Sequence, residues 1–286
     1  MNNIRELVGN INKLTIKRDA KIIDNKIVIK DIKNKNIDKT YRYLKSRSFD
    51  YFPDPIEIDN IHEIYPYIED TEEPIDQKAM DLMYLISLLH NKTTFYREID
   101  IDKNKEIYED ILARLEYLNN YYTDLITLIE KEVYMSPSSY LIARNINIIF
   151  ESIYYAKDKI EEWYKKIENN KNERVVNIHN NINLDHYIKS DKPYLISWNK
   201  SKIDNPIYDL LSFYQSHYLE LNFDDLFHYY ESNYPLKEEE RILLFIYMAI
   251  PPKMEIEDSE YKMCIKINKI IDYLYKTNNL IMNYQK

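Results

Sequence analysis

Glycine is almost missing from this chain, which has one glycine, Gly9, among its 286 residues. Glycine ordinarily supplies about 7% of a protein sequence. Glycine-rich loops bind phosphate because their backbone can approach it closely. The sequence therefore excludes both a Walker A loop and a dinucleotide-binding G-x-G-x-x-G loop. We expect asparagine, which tolerates turn conformations, to take the positions where glycine would otherwise occur.

Cysteine and long apolar runs are also scarce. The single cysteine, Cys264, excludes an internal disulfide and suits a reducing compartment. The longest apolar run, residues 242–250, is far shorter than the roughly 20 residues that a membrane-spanning helix needs. No apolar export segment follows Met1. We therefore expect a cytoplasmic protein without a membrane span.

Positive charge is in deficit as well. The 39 lysines and arginines face 48 aspartates and glutamates, which gives a net charge of −9. Proteins that bind nucleic acid present a basic face to the phosphate backbone, so we expect no nucleic-acid partner. Hydrophobic residues make up 45% and charged residues 30% of the chain, a balance typical of a folded globular protein.

The N-terminal part of the chain has the pattern of strands. Apolar side chains alternate with lysines in residues 13–17 and 26–32, and the Asp24-Asn25 pair supplies a turn between them. Residues 61–65 predict a further strand, and residues 36–49 predict a helix. We therefore expect a β-rich N-terminal lobe over residues 1–66.

Helical spacing dominates after Pro74. Apolar residues recur every three or four positions in segments 76–90, 107–133 and 142–167. Further helices are predicted at residues 208–218, 223–230, 237–250 and 260–282. Residues 174–198 instead favour strands, with a hairpin around the turn Ser190-Asp191-Lys192-Pro193. The whole pattern predicts an α+β protein of two lobes, the second covering residues 67–286.

Two shorter features have simple interpretations. The serines around Pro137, at positions 136, 138 and 139, are typical of a helix cap. The acidic run Glu69–Glu73 indicates a solvated loop.

The most informative stretch, residues 175–214, reads VVNIHNNINLDHYIKSDKPYLISWNKSKIDNPIYDLLSFY. It resembles the catalytic segment of the aminoglycoside phosphotransferase and choline kinase family, in which a strand, H-G-D-x-x-x-x-N, a hairpin, I-D-W and D-P-x-x-D-L follow one another. By this resemblance Asn181 falls on the catalytic aspartate, His186 on the metal-binding asparagine and Ser197 on the metal-binding aspartate. His179, Trp198 and residues 205–210 match without a gap.

The resemblance extends beyond that stretch. It places Lys30 where the family has its ATP-binding lysine, and Tyr65, Tyr67 and Ile68 at the hinge beside adenine. It also implies a protein kinase-like fold, with a small antiparallel sheet in the N-terminal lobe and a larger, mostly helical C-terminal lobe. In the family, the histidine of H-G-D braces the catalytic loop by bonding the aspartate of D-x-x-D-L. The same contact is expected here between His179 and Asp209.

The replaced residues decide which activity the resemblance implies. Phosphoryl transfer needs metal ions on the phosphates and a carboxylate that orients the nucleophile. Magnesium prefers oxygen ligands, whereas Asn181 is an amide, Ser197 is neutral, and the imidazole of His186 suits other metals. Helix 36–49 has no glutamate to pair with Lys30, and its one aspartate, Asp38, is near its start. We therefore predict a pseudokinase with no metal site, whose ligand is a protein partner, a small molecule or a nucleotide such as ATP bound without metal. It looks most like bacterial, spore-coat-associated members of the family.

Other interpretations stay open at this stage. The chain could be an unconventional phosphotransferase acting on a hydroxyl group, with acidic runs 69–73 and 238–240 attracting a cationic acceptor. Asp185 could replace a lost carboxylate, or His186 could join a zinc site. A purely helical structural protein is a third interpretation, which the lack of a five-stranded N-terminal sheet would support.

Overall fold

The computed structural model describes residues 13–17, 20–32, 37–59, 61–168 and 170–284. The chain divides into two compact units. The first comprises Met1–Thr94 with Val176–Asp204, and the second comprises Phe95–Val175 with Asn205–Lys286. The predicted lobe boundary at residue 66 is a different division of the chain and stays a prediction.

The first unit contains a five-stranded antiparallel sheet. Its strands are β1 (Leu14–Lys17), β2 (Ala20–Ile23), β3 (Ile27–Asp31), β4 (Glu57–Ile58) and β5 (His62–Pro66), in the order β1-β2-β3-β5-β4. Helix α1 (Ile37–Ser46) lies between β3 and β4 in the chain. One face of the sheet has a core of four isoleucines, at positions 23, 27, 29 and 64. The sheet contradicts the interpretation as a purely helical protein.

The turn before β3 shows how the chain manages without glycine. Asp24 and Asn25 both have positive φ, 50° and 52°, and the Lys26 N–H donates to the Ile23 carbonyl at 2.9 Å. Aspartate and asparagine tolerate this left-handed conformation better than most residues other than glycine. The turn was predicted correctly, but it joins β3 to β2, a strand that the sequence analysis did not separate from its surroundings.

The remainder of the first unit includes helix α2 (Ile75–Thr93) and the segment that follows Val176. Strand β7 (Asn172–Ile178) enters this unit at Val176 and pairs there with β10 (Lys202–Asp204). Between them lies the predicted hairpin, formed by β8 (Tyr187–Lys189) and β9 (Pro193–Leu195). The Leu195 N–H donates to the Tyr51 carbonyl at 2.8 Å, which ties the hairpin to the segment after α1.

The second unit is mainly helical. Its helices are α3 (Ile101–Ile129), α4 (Pro137–Ile167), α5 (Ile207–His217), α6 (Phe223–Asn233), α7 (Glu238–Ala249) and α8 (Glu260–Tyr284). Strand β6 (Phe95–Glu98) pairs with the first half of β7. Helix α4 packs against α3, α7 and α8, so its apolar stripe forms the centre of this unit.

The helix predictions are confirmed with small changes. Ser136 caps α4, where its hydroxyl accepts from the Ser139 N–H at 3.2 Å. Val133 was expected on the apolar stripe of the first long helix, but α3 ends at Ile129 and Val133 is 88% exposed. Within the described ranges, every helix is too short or too polar to cross a membrane.

Candidate functional site

The register of β3 against β5 determines where Lys30 points. Ile29 faces the isoleucine core opposite Ile64, so the neighbouring residues of each strand face the other side. Lys30 is therefore paired with Glu63 on that opposite face. From there the Lys30 ammonium donates a hydrogen bond to the Ser197 hydroxyl, with 3.1 Å between Nζ and Oγ.

Glu63 is the acidic residue beside Lys30. The residue is only 5% exposed, and the Tyr65 hydroxyl donates to its carboxylate at 2.8 Å. The hydroxyl of Tyr41, from α1, lies 3.0 Å from that of Tyr65. Burial raises the pKa of Glu63, although the hydrogen bond from Tyr65 and the charge of Lys30 act in the opposite direction. Strand β5 thus places an acidic residue beside Lys30, on the same face of the sheet.

Ser197 is held in an unusual backbone conformation. Its φ of 71° is left-handed, and such conformations in residues other than glycine cost about 1–3 kcal/mol. The next residue, Trp198, anchors it: the indole is 1% exposed and its Nε1–H donates to the Leu195 carbonyl at 2.7 Å. The indole also packs edge-on against Phe49, at 5.9 Å between ring centroids. The hydroxyl of Ser197 is therefore positioned by a rigid neighbour.

The loop after β7 has the two histidines of the matched segment. The ring nitrogen Nε2 of His179 donates to the Ile196 carbonyl at 2.9 Å, and Nδ1 of His186 donates to the Asn181 carbonyl at 2.6 Å. Because a carbonyl can only accept, both of these nitrogens must carry a proton. The hydrogen bond from His186 Nδ1 therefore stabilises the loop at Asn181. Asn180, on the glycine position of H-G-D, has φ of 58°.

Some predicted site residues are brought together and others are not. Asn181 and His186 are bonded to each other, and Lys30 and Ser197 are bonded to each other. Asp185 is exposed. In the part of the chain that the structure describes, no group of three histidine, cysteine, aspartate or glutamate residues could hold a metal ion.

Two features stay predictions: the nucleotide-binding hinge, with Tyr67 and Ile68, and the contact between His179 and Asp209. Tyr67 and Ile68 are half-buried, and the Tyr67 N–H already donates to the Lys26 carbonyl at 2.8 Å. His179 is fully buried in the first unit. Asp209, 1% exposed, lies in the first turn of α5 in the second unit.

A cluster around Lys189 was not predicted. Its ammonium donates to Glu73 at 2.7 Å and to Asp81 at 2.6 Å, and its backbone N–H donates to Asp70 at 2.8 Å. Burial opposes ionisation of Asp81, but hydrogen bonds from Lys189 and Gln77 outweigh it and lower the pKa of Asp81. The acidic run was expected to be a solvated loop. Asp70 is exposed, as expected, but the Glu73 side chain is only 8% exposed, so the prediction is wrong for Glu73. Both residues hold the β8–β9 hairpin.

The second acidic run is also used internally. Glu240 is 3% exposed and accepts both from Arg174 Nε at 2.9 Å and from the Lys237 N–H at 2.9 Å, and the Arg174 guanidinium lies 4.4 Å from the centre of the Tyr234 ring. Glu238 pairs with Lys166 at 2.9 Å. Glu240 is therefore buried with a cationic partner, whereas the Glu238 side chain is 66% exposed beside Lys166.

Comparison with solved structures identifies the fold. The chain is similar to an aminoglycoside phosphotransferase from Alicyclobacillus acidocaldarius, with 7% identity, a TM-score of 0.63, and coverage of 96% of this chain and 90% of that one. It is also similar to the AMP-bound spectinomycin phosphotransferase, with 15% identity, a TM-score of 0.55, and coverage of 96% and 98%. The complex of that enzyme with ADP and spectinomycin gives 13% identity, a TM-score of 0.51, and coverage of 97% and 98%. The sequence matches no protein-family model and no curated protein.

These similarities assign the chain to a structural class. It has the α+β, protein kinase-like fold of the aminoglycoside phosphotransferases, as the matched residues predicted. At these low identities the likeness concerns the fold alone.

Proposed function

We propose that this protein is a pseudokinase, which keeps the scaffold of a small-molecule kinase and acts by binding rather than by phosphoryl transfer. The observation that carries the proposal is the hydrogen bond between Lys30 and Ser197. In the family that the sequence resembles, the second position is a metal-binding aspartate. Here a neutral hydroxyl stands at that position and uses the lysine as its partner.

The chemistry of phosphoryl transfer supports this proposal. Mg²⁺ is held by carboxylates together with the phosphates of the nucleotide, and neither Ser197 nor His186 supplies a carboxylate. The Nδ1–H of His186 is bonded to the Asn181 carbonyl, which orients the ring, and an imidazole nitrogen is a poor ligand for Mg²⁺. The amide of Asn181 cannot accept a proton near neutral pH. Loss of positioned acid–base help alone costs about a hundred- to ten-thousand-fold in rate.

The proposed ligand of this site is a nucleotide bound without metal. Lys30 provides a cation for a phosphate group, and Tyr65, Tyr67 and Ile68 continue along and beyond the neighbouring strand toward the expected adenine position. The structures of spectinomycin phosphotransferase with AMP and ADP support a nucleotide as the ligand of this fold. We also propose that the protein is cytoplasmic. In this proposal it acts by binding either a small molecule or a protein partner.

A phosphotransfer assay tests the proposal. Purified protein is incubated with Mg²⁺, γ-labelled ATP and a panel of hydroxylated acceptors, together with the variant Lys30→Ala. We expect no transfer above the level of Lys30→Ala. Turnover by the wild-type protein that disappears in Lys30→Ala would overturn the proposal.

One observation favours the alternative, an unconventional phosphotransferase acting on a hydroxyl group. Lys30 is retained beside a buried glutamate, Glu63, as an active enzyme of this fold would require. The double variant Asn181→Asp/Ser197→Asp separates the two functions. An active enzyme transfers phosphate without these changes, whereas a pseudokinase could gain activity only with them.

A further inference from the structure

The second unit contains a groove of about 460 Å³. It lies among helices α3, α5, α7 and α8 and the segment that follows α7. Its volume is in the range of roughly 300–1,000 Å³ that small-molecule sites occupy. Its lining combines cationic side chains with tyrosine rings and aliphatic side chains.

The charge of this lining is opposite to that of the chain. Arg114, Lys253, Lys266 and Lys269 are cationic, and the lining includes no aspartate or glutamate. The chain as a whole has a net charge of −9. The four cations come from three elements, α3, the segment after α7, and α8, so they converge from different parts of the sequence. A cationic concave site focuses its potential on anions.

Two of the four cations already have protein partners. The Lys266 ammonium lies 2.8 Å from Glu257 and 3.6 Å from Glu255. Lys253 donates to the Tyr117 hydroxyl and lies 5.1 Å from the centre of that ring.

The other two cations are available for a ligand. Across the described part of the chain, the side chains of Arg114 and Lys269 have no hydrogen bond or ion pair with a protein group, and both residues are exposed. They supply the charge that an incoming anion would meet without first breaking an internal contact.

Tyrosine rings and aliphatic side chains form the rest of the wall. The Tyr218 hydroxyl donates to the Lys269 carbonyl at 3.2 Å, and the Tyr273 ring packs edge-on against Tyr218 at 5.1 Å between centroids. These contacts fix two of the rings relative to α8. Ile250 and Ile270, 5% and 6% exposed, add apolar surface. Such walls favour the planar or apolar part of a ligand.

We propose that this groove binds a small phosphate monoester that also has a ring. The guanidinium of Arg114 suits phosphate because its planar fork of donors matches phosphate oxygens. Lys269 adds a second charge, and the tyrosines contact the ring. This site is independent of Lys30 and of the proposed pseudokinase function.

Calorimetric titration with phenyl phosphate tests the site, since this probe combines one phosphate with one aromatic ring. For a ligand of this size in an open groove we expect a dissociation constant of about 1 mM. Arg114→Gln or Lys269→Gln should weaken binding about tenfold, the usual cost of removing a charged hydrogen bond. Lys30→Ala should leave it unchanged, because Lys30 belongs to the other unit.

The controls distinguish a built site from general attraction of anions. Arg144→Gln and Lys262→Gln remove an exposed charge of the same unit, one from α4 and one from α8, outside the groove lining. They should leave binding unchanged, and phenol and benzoate should bind at least tenfold more weakly than phenyl phosphate. The proposal is overturned if phenyl phosphate does not bind, if the control variants lose as much affinity, or if benzoate binds equally well.

Discussion

Replacing Ser197 with aspartate tests the geometry at Lys30 quantitatively. Lys30 Nζ lies 3.1 Å from Ser197 Oγ, so a carboxylate introduced there would meet the ammonium within hydrogen-bond distance. Two unit charges at that separation attract by about 5 kcal/mol at an effective dielectric constant of about 20. Desolvation and repulsion from Glu63 offset part of this, and hydrogen bonds to charged groups contribute about 1.5–3 kcal/mol net. Aspartate also tolerates the left-handed backbone of this position.

A double-mutant cycle isolates this interaction. The free energies of unfolding of wild type, Ser197→Asp, Lys30→Met and the double variant are measured by urea denaturation at pH 7. We expect a favourable coupling free energy of about 1.5–3 kcal/mol between the carboxylate introduced at position 197 and the ammonium of Lys30. The coupling should disappear as the pH falls through the carboxylate's lowered pKa, because the folded state then loses the charge. A coupling near zero at pH 7 would refute the placement of Lys30 against Ser197.

Three further predictions follow from buried or paired carboxylates. Glu240→Gln should lower the free energy of unfolding by about 3–5 kcal/mol, since it leaves the Arg174 charge buried without its partner. The control Glu238→Gln, at an exposed ion pair, should change the urea midpoint much less. Equal effects of the two variants would contradict this assignment. The contact of Asp81 with Lys189 should stabilise the folded state above the ordinary aspartate pKa. This stabilisation should be lost as the pH falls through the lowered pKa of Asp81. Asp81→Asn should therefore flatten that part of the pH profile of the unfolding free energy. The raised pKa of Glu63 predicts the opposite sign: the cost of its buried charge is relieved on acidification, so wild type should gain stability relative to Glu63→Gln as the pH falls, and parallel pH profiles would contradict it.

Much of the fold could be predicted from periodicity. The long helices α3 and α4 have apolar residues at helical spacing, and β3 alternates strictly, so these segments indicate their own structure. Strands β2, β4, β6 and β10 were missed, and each has two to four residues. Strands β8 and β9 are as short, but the turn between them indicated the hairpin. Such short segments have too few positions for a period to be recognised, and their pairing partners lie elsewhere in the chain.

The site was predictable only in part, for a similar reason. Spacing placed Asn181, His186 and Ser197 on the matched segment, but it could not show that His186 bonds the Asn181 carbonyl. Glu63 was missed because the search for a partner of Lys30 was confined to the helix. Its signal was present in the alternation of β5, where Ile64 facing the core requires Glu63 to face the other side with Lys30.

The acidic runs show the limit of composition as evidence. Glu73 was expected in a solvated loop, and Glu240 in a run that could attract a cationic acceptor. Each instead forms an ion pair with a residue more than 60 positions away. Sequence distance hides such pairs, whereas the three-dimensional structure reveals them directly.

The dependence of ATP binding on Mg²⁺ tests the central claim most directly. A thermal-shift titration of the wild-type protein is performed with ATP in excess Mg²⁺ and again in EDTA. At about a hundred times its dissociation constant a ligand stabilises the folded state by roughly 2.7 kcal/mol, enough to move the melting temperature measurably. We predict that ATP gives the same shift in both conditions, because Asn181, His186 and Ser197 supply no carboxylate for the metal. A shift that appears only with Mg²⁺ would contradict the claim that this site has lost its metal-dependent chemistry.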